Sequence, residues 1–316
     1  VTGGAGFIGS HLVDALVAHG ARVSVIDDLS NGSLENLRTS QDRVSIVLGS
    51  IVDVGALDSA MNIEGAPAEV VFHQAAIASV PRSVEEPDRY VQVNAMGTLA
   101  VLEAARRAGA ASGRVPRVIY AASSSVYGDA PALPKVETMA PQPLSPYAAS
   151  KFAGECLLQS HCHCLGVSGV SLRYFNVFGP RQRHDSPYAA VIPRFIEALR
   201  RGARPVIYGD GKQSRDFTFI DNVVQANLLA GSCPQSLCGA SLNIASGRRL
   251  TLLEVLAALR TIMGVNSVEP DFQAPRAGDV RDSLADITAA RDLFGYQPSV
   301  SFESGLQRMV FDSRMQ

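Results

Sequence analysis

The sequence predicts an α/β fold, a doubly wound parallel sheet with a smaller, interleaved α/β lobe. Three observations carry the prediction. Short apolar runs at Val44–Leu48, Val70–His73 and residues 118–121 and 170–174 recur along the chain, mostly separated by helix-length segments. Parallel strands buried on both faces read as such unbroken runs, whereas half-exposed strands alternate. The first 27 residues contain strand tail, Gly-rich turn, helix and strand, which is one βαβ unit. After residue 176 the texture changes: Gly179-Pro180, Ser186-Pro187 and Gly209-Asp210-Gly211 break the chain into loops with isolated helices.

Taken in order, Val1-Thr2-Gly3-Gly4 reads as the end of a strand whose beginning lies outside the sequence, with no initiator Met and no signal peptide. Ile8, Leu12, Val13, Leu16 and Val17 then form a helical stripe that Gly20 ends. Arg22-Val23-Ser24-Val25-Ile26-Asp27 alternates as a strand. Far along the chain, Thr251-x-x-Glu254 is a capping box opening a helix that stops at Gly264. Residues 286–294, followed by Gly295 and Pro298, predict another helix. No internal repeat and no low-complexity segment interrupts this order.

Composition narrows the function classes. The 316 residues hold 47% hydrophobic and only 18% charged side chains, which excludes a disordered chain. With 28 Lys and Arg against 30 Asp and Glu, the formal charge of −2 leaves no broad footprint for nucleic acid or an anionic membrane. An anionic ligand would instead be held by a few placed arginines. No run approaches 18 consecutive apolar residues, so no membrane span is expected. Five cysteines are an odd and sparse set, unlike a disulfide framework, which fits a reducing cytosol. The string His161-Cys162-His163-Cys164 is too tight for a tetrahedral metal site, because adjacent helical residues point about 100° apart. A helix end with incidental thiols, and no metal, is the expectation.

Chemistry enters at two constellations. Gly3, Gly6 and Gly9 lie in the turn between strand and helix, where glycine lets the backbone bend tightly and approach a pyrophosphate. The helix N-terminus then offers free N–H groups to the phosphates. Asp27 follows Gly9 by 18 residues at a strand end, placed to accept hydrogen bonds from both adenine-ribose hydroxyls. It would repel a 2′-phosphate, so NAD is favoured over NADP. The second constellation is Tyr147-x-x-x-Lys151, whose phenol and ammonium share one helix face. A free tyrosine titrates near 10, so a phenolate base at neutral pH needs about 4 kcal/mol of stabilisation. A neighbouring Lys⁺ and a positive nicotinamide ring supply it by favouring the charged form. Ser123-Ser124-Ser125 follows the run 118–121 and so sits at a carboxyl end of the sheet, where such folds bind ligands.

These motifs, with Asn94, Val126-Tyr127-Gly128-Asp129, Arg173-Tyr174-Phe175-Asn176, Ser214-Arg215-Asp216-Phe217 and Arg276-Ala277-Gly278-Asp279-Val280-Arg281, resemble the extended short-chain dehydrogenase/reductase family over nearly the whole chain. Within it the match is to NAD-dependent nucleotide-sugar epimerases and dehydratases. Ser79-Val80-Pro81-Arg82-Ser83, Tyr188-Ala189-Ala190-Val191-Ile192-Pro193 and Ser283-Leu284-Ala285-Asp286 are most similar to UDP-N-acetylglucosamine 4-epimerases.

The resemblance implies a Rossmann-like NAD domain of residues 1–175 and 216–245 and a sugar-nucleotide domain of 176–215 and 246–316. It implies Ser123, Tyr147 and Lys151 as the catalytic set. It assigns the cofactor to Gly3, Gly6, Phe7, Ile8, Gly9, Asp27, Asp28, Asn31, Ser50, Ile51, Gln74, Ala75, Ala76, Asn94, Tyr147, Lys151 and Tyr174. Ala78, Ser79, Ser123, Ser124, Ser125, Asn176, Ala190, Val191, Tyr208, Arg215, Arg276, Asp279 and Ser283 fall on its substrate contacts. Arg215 and Arg276 suit a diphosphate, since planar guanidinium groups meet phosphate oxygens bidentately.

Two departures bear on the reading. Gly49 is followed by Ser50 where the family often has Asp, so the usual carboxylate contact to the adenine amino group is missing. Look-alike dehydratases carry Asp and Glu directly after the catalytic hydroxyl; here Ser124 and Ser125 are unable to act as such acids or bases, which disfavours dehydration. A UDP-glucuronate decarboxylase would have Glu in place of Ser125, while a UDP-glucuronate 4-epimerase would present serines or Arg82 to the carboxylate. A non-catalytic NAD-binding regulator is the remaining alternative, although Tyr147 and Lys151 are both intact. Ser283 stands where the family gates the space beside the sugar C2 substituent, and a serine there leaves room for an N-acetyl group. Ala190, small where a larger side chain fits, points the same way. Ala78 replaces an expected glycine and argues for tolerance of UDP-glucose. The resemblance further implies a homodimer through the segments 90–106 and 147–165, with Val93, Leu99, Val101, Leu102, Phe152, Cys156 and Leu157 as compatible apolar positions.

Overall fold

In the computed structural model, which describes residues 1–183, 190–275 and 280–312, the predicted apolar runs line up as one parallel sheet. Its order is Val44–Leu48, Val23–Asp27, Thr2, Val70–His73, Arg117–Ser123, Gly169–Tyr174, Ser241–Ile244. Thr2 bridges Ile26 on one side and His73 on the other, so the chain start joins the two halves. Strand order therefore reverses on either side of Thr2, and ligands of doubly wound sheets bind at such a switch point. On the far side from the Gly-rich turn, a mainly apolar cavity of about 700 Å³ lies below Thr2, lined by Leu16, Val23, Met61, Val70 and Leu228 among others.

Burial explains the apolar runs. Every residue of Val23–Asp27 and Gly169–Tyr174 is buried, as is all of Arg117–Ser123 except Arg117. Only the edge strand Val44–Leu48 is half-exposed. Helices cover both faces. Phe7–Ala18 and Ile220–Ser232 pack together on one, and Gly97–Ser112 and Pro146–Cys164 pack together on the other.

The second lobe is built from short pairings. Ser214–Asp216 runs antiparallel to Arg249–Thr251, and Val206–Tyr208 runs parallel to Asp271–Gln273. The helices Val191–Arg200, Leu252–Met263 and Phe302–Val310 close it. The Thr251 capping box forms as expected, with Gly264 in the left-handed conformation at the other end. The segment 286–294 forms a shorter helix, Thr288–Phe294, with Ile287 at its N-cap; Asp286 lies in the turn before it, its Oδ1 accepting from Thr288 N at 2.8 Å. One apolar core runs through both lobes, from Leu12 and Phe72 through Phe178 and Ile220 to Leu256 and Val310.

His161 is buried and bridges two helices, with Nδ1 2.8 Å from Leu157 O and Nε2 3.2 Å from Glu103 Oε1. Among the described residues, no group of three or more His, Cys, Asp or Glu is arranged to hold a metal ion. None of their helices is long and apolar enough to cross a membrane.

Candidate active site

The Gly-rich turn has the geometry its glycines permit. Gly3 adopts φ +65°, and its N–H donates to Ile26 O at 2.8 Å. A Cβ on Gly9 would lie 2.1 Å from Gly3 O, so the helix Phe7–Ala18 sits directly on the turn. Gly6 is the N-cap and brings no capping side chain, which leaves the first-turn amides to a ligand. Asp27 is buried; Oδ2 accepts from Ala5 N at 2.9 Å and Oδ1 from Leu29 N at 2.8 Å. Burial raises its pKa and these two amide bonds oppose the rise. This turn, this carboxylate and this approach distance fit a dinucleotide.

A cleft of about 670 Å³ opens over the turn. Of the predicted cofactor set, Gly3, Gly6, Phe7, Ile8, Gly9, Asp27, Asp28, Asn31, Ser50, Ile51, Gln74, Ala75, Ala76, Tyr147, Lys151 and Tyr174 line it, and so do Ala78, Ser79 and Ala190 of the substrate set. Asn94 does not. It is buried behind the wall, within the π-helical turn Val91–Met96. Its Oδ1 accepts from Ile77 N at 2.8 Å, while Nδ2 donates to Ile77 O and to Ser150 Oγ, both at 3.0 Å. Asn94 thus ties Ile77, on the cleft wall, to the helix carrying Tyr147.

Tyr147 is the second residue of Pro146–Cys164, a helix whose N-cap Ser145 accepts from Ala148 N at 3.1 Å. Lys151 follows one turn later, buried, with Nζ 4.5 Å from the centre of the Tyr120 ring. Burial lowers its pKa to about 7, opposed by the negative charge of Glu155. Burial raises the Tyr147 phenol, and a hydrogen bond with Ser123 opposes that rise. Ser123 ends its strand and accepts from Ser125 N at 3.2 Å and from Ser125 Oγ at 2.9 Å. Ser124 and Ser125 flank it but, like Ser123, are not part of the cleft's lining.

Two buried networks hold this centre. His73 Nδ1 lies 2.7 Å from Thr2 Oγ1, and Nε2 lies 2.9 Å from Thr98 Oγ1. Thr98 donates onward to Asn94 O at 2.6 Å, so its oxygen accepts from His73 Nε2–H and Nδ1 accepts from Thr2. Burial accordingly drives the His73 pKa down to about 3. On the other side, Arg173 meets Glu155 with Nε at 3.0 Å and Nη2 at 2.7 Å, while Nη1 donates to Tyr127 Oη at 2.9 Å.

A second cleft, of about 240 Å³, adjoins the first through Gln182 and Ala190. Asn176, Val191, Tyr208 and Arg215 line it, as predicted for substrate contacts. Asn176 takes φ +30°, and its Nδ2 donates to Asp216 O at 3.2 Å. Arg215 Nη1 donates to Arg281 O at 2.9 Å. Arg276 and Asp279 lie outside the described residues. Ser283 is buried and lines neither cleft; its N–H donates to Ser214 O at 3.1 Å.

Sequence reasoning missed Gly32, Asn36 and the loop Arg181-Gln182-Arg183, all of which line the main cleft. Asn36 Nδ2 donates to Ala5 O at 2.9 Å, and a Cβ on Gly32 would meet Ala5 C at 2.9 Å. The glycine at 32 was the only local signal. The arginine loop arrives from a distant part of the chain and had none.

Comparison with known proteins agrees with this geometry. Residues 1–245 match the model of the NAD dependent epimerase/dehydratase family. The chain is 41% identical over 313 residues to a UDP-glucose 4-epimerase of Mycolicibacterium smegmatis, covering 98% of this chain and 96% of that one. It is similar to a UDP-N-acetylglucosamine 4-epimerase of Methanobrevibacter ruminantium, solved in complex with UDP-N-acetylmuramic acid, at TM-score 0.90 and 39% identity over 98% of this chain and 95% of the other. A UDP-glucose 4-epimerase of Thermotoga maritima, solved with UDP-glucose, gives TM-score 0.90 and 38% identity over 98% and 96%. The protein is thus a member of the NAD-dependent epimerase/dehydratase family, with the Rossmann-like fold of its relatives.

Proposed function

We propose that the protein is an NAD-retaining UDP-hexose 4-epimerase, with UDP-GlcNAc and UDP-GalNAc as the preferred pair and UDP-Glc and UDP-Gal tolerated. One observation carries the reading: Tyr147 and, one turn on, buried Lys151 line the same cleft as the Gly-rich turn and Asp27, and that cleft adjoins a second, arginine-bearing one. Serines at 124 and 125 offer no acid or base for elimination. The N-acetyl preference rests on the small side chain of Ala190, which lines both clefts, and on Ser283 leaving room from its buried place behind them; it agrees with the name of the Methanobrevibacter relative.

The residues divide the work as follows. Gly3, Gly6 and Gly9 admit the cofactor diphosphate to the amides of the first helical turn, and Asp27 holds the adenine ribose. Bound NAD supplies a hydride acceptor that becomes the donor, together with a positive ring beside the phenol. Tyr147 Oη takes the proton of the sugar 4-hydroxyl in one half-reaction and returns it in the other. Ser123 donates to the same sugar oxygen, and Lys151 holds the nicotinamide-side ribose. Arg215 grips the substrate diphosphate while the 4-keto sugar turns to present its other face. Residues 1–175 with 216–245 serve the cofactor, and 176–215 with 246–316 serve the sugar nucleotide.

A UDP-glucuronate 4-epimerase is the second reading. Arg82 lines the main cleft beside Ser79, and it pairs with Glu86 at 3.0 Å. Assembly as a homodimer through the segments 90–106 and 147–165 belongs to the same proposal. Val101 and Leu102 are fully buried in the single chain and do not serve that interface; exposed Val91 and Met96 are better placed.

Tyr147→Phe is the test. General acid–base catalysis contributes roughly 10²–10⁴-fold, so turnover should fall by that factor with the circular dichroism unchanged. A near-normal rate would overturn the assignment of the base. Folded, NAD-loaded protein that interconverts no UDP-hexose would favour the regulator.

A further inference from the structure

The loop Gly179-Pro180-Arg181-Gln182 crosses from the second lobe onto the helix of the Gly-rich turn. Pro180 O accepts from His11 Nε2 at 3.0 Å. Arg181 takes φ +66°, a left-handed conformation costing a non-glycine residue roughly 1 kcal/mol, and this folds its side chain back over the helix. There Nη2 meets Asp14 Oδ2 at 2.5 Å, and the other Asp14 oxygen accepts from Ser40 Oγ at 2.5 Å. Only 5% of the Arg181 side chain is exposed, yet Nε and Nη1 are buried with no acceptor among the described residues. An unmatched buried donor costs about 1–3 kcal/mol, and more when it carries charge. Neither the backbone strain nor these orphan donors is explained by the ion pair alone, for which Nη2 suffices.

Arg181 lines the main cleft with Gly6, Phe7 and Ile8, where the uncapped helical amides point. An acceptor of negative charge placed there would satisfy both sets of donors. We propose that Arg181 binds the diphosphate of the dinucleotide, closing the second lobe over the cofactor, and that Asp14 is its positioning residue. The inference rests on the NAD reading above. It also bears on Ser50: with no carboxylate at the adenine end, retention of the cofactor falls more heavily on the diphosphate.

Calorimetric titration of NAD-stripped protein tests this with two probes, ADP-ribose, which carries the diphosphate, and adenosine, which lacks it. Arg181→Met should weaken ADP-ribose at least tenfold, about 1.4 kcal/mol, and leave adenosine unchanged. Arg181→Lys keeps the charge without the planar fork and should fall between the two; it also serves if the Met variant does not fold. Less NAD should co-purify with either variant. Unchanged ADP-ribose affinity in a folded variant would overturn the proposal, as would equal weakening of both probes, which would make Arg181 a strut. Wild-type protein that binds adenosine but gains nothing from the diphosphate would also overturn it. Wild-type protein that binds neither probe would remove the dinucleotide reading itself.

Discussion

Replacing Glu155 by Gln removes one charge and almost no volume from the network behind Lys151. Arg173 and Glu155 each have side chains only 4% exposed, and the guanidinium makes three of its bonds to this carboxylate. Ser241 Oγ donates to Glu155 Oε2 at 3.1 Å and would lose a charged acceptor. Removing one partner of a buried ion pair costs about 3–5 kcal/mol, because the other charge stays buried and uncompensated. Unfolding entropy of about 2.1 cal/mol/K per residue makes 1 kcal/mol worth about 1.5 °C in a chain of 316 residues. The melting temperature should therefore drop by about 5–8 °C, measured on ligand-free protein by scanning calorimetry. The Glu155→Leu/Arg173→Met pair, which removes both charges, should melt closer to wild type than Glu155→Gln does. A drop below about 1 °C, or a double variant no better than the single, would refute the claim that this pair is a desolvated charge couple.

Other expectations follow from the same contacts. Gly9→Ala forces a methyl against Gly3 O, a backbone atom with no room to yield, so the purified variant should carry little NAD and melt lower; normal NAD content would contradict the packing. His73 titrates near 6.5 when unfolded and at about 3 in the fold, so the unfolded state takes up a proton as pH falls through 6.5 and stability is lost down to pH 3. Between pH 6 and 4, wild type should therefore lose stability more steeply than His73→Gln, by up to about 1.4 kcal/mol per pH unit; parallel curves would show that His73 is not held neutral. Ser283→Tyr should slow the acetylated pair at least tenfold, about 1.4 kcal/mol in the barrier, and spare UDP-Glc and UDP-Gal. Equal loss on both pairs would make buried Ser283 a packing residue.

The sheet was legible because its strands are buried on both faces and so appear as apolar runs, as at Val70–His73 and Gly169–Tyr174. The Gly-rich turn was legible because its need for glycine is local: Gly9 meets Gly3 six positions away. Three-residue pairings such as Val206–Tyr208 with Asp271–Gln273 were not, since each strand is too short to show a period and its partner is remote. The π-helical turn at Asn94 left no mark either. Nothing in Val91–Met96 distinguishes it from an α-helix, and the bonds from Asn94 to Ile77 and Ser150 depend on tertiary placement. The same holds for Arg181. Its role depends on Asp14 lying 167 residues earlier on a neighbouring helix.

The central claim is 4-epimerisation of a UDP-hexose, and proton NMR of the sugar anomeric signals tests it most directly. Purified protein incubated separately with UDP-GlcNAc, UDP-Glc and UDP-GlcA, without added reductant, should convert UDP-GlcNAc to UDP-GalNAc fastest and UDP-Glc to UDP-Gal more slowly, with no net consumption of NAD. Conversion of UDP-GlcA alone would transfer the activity to the second reading, and no 4-epimer from any of the three, with folded and NAD-loaded protein, would contradict the account.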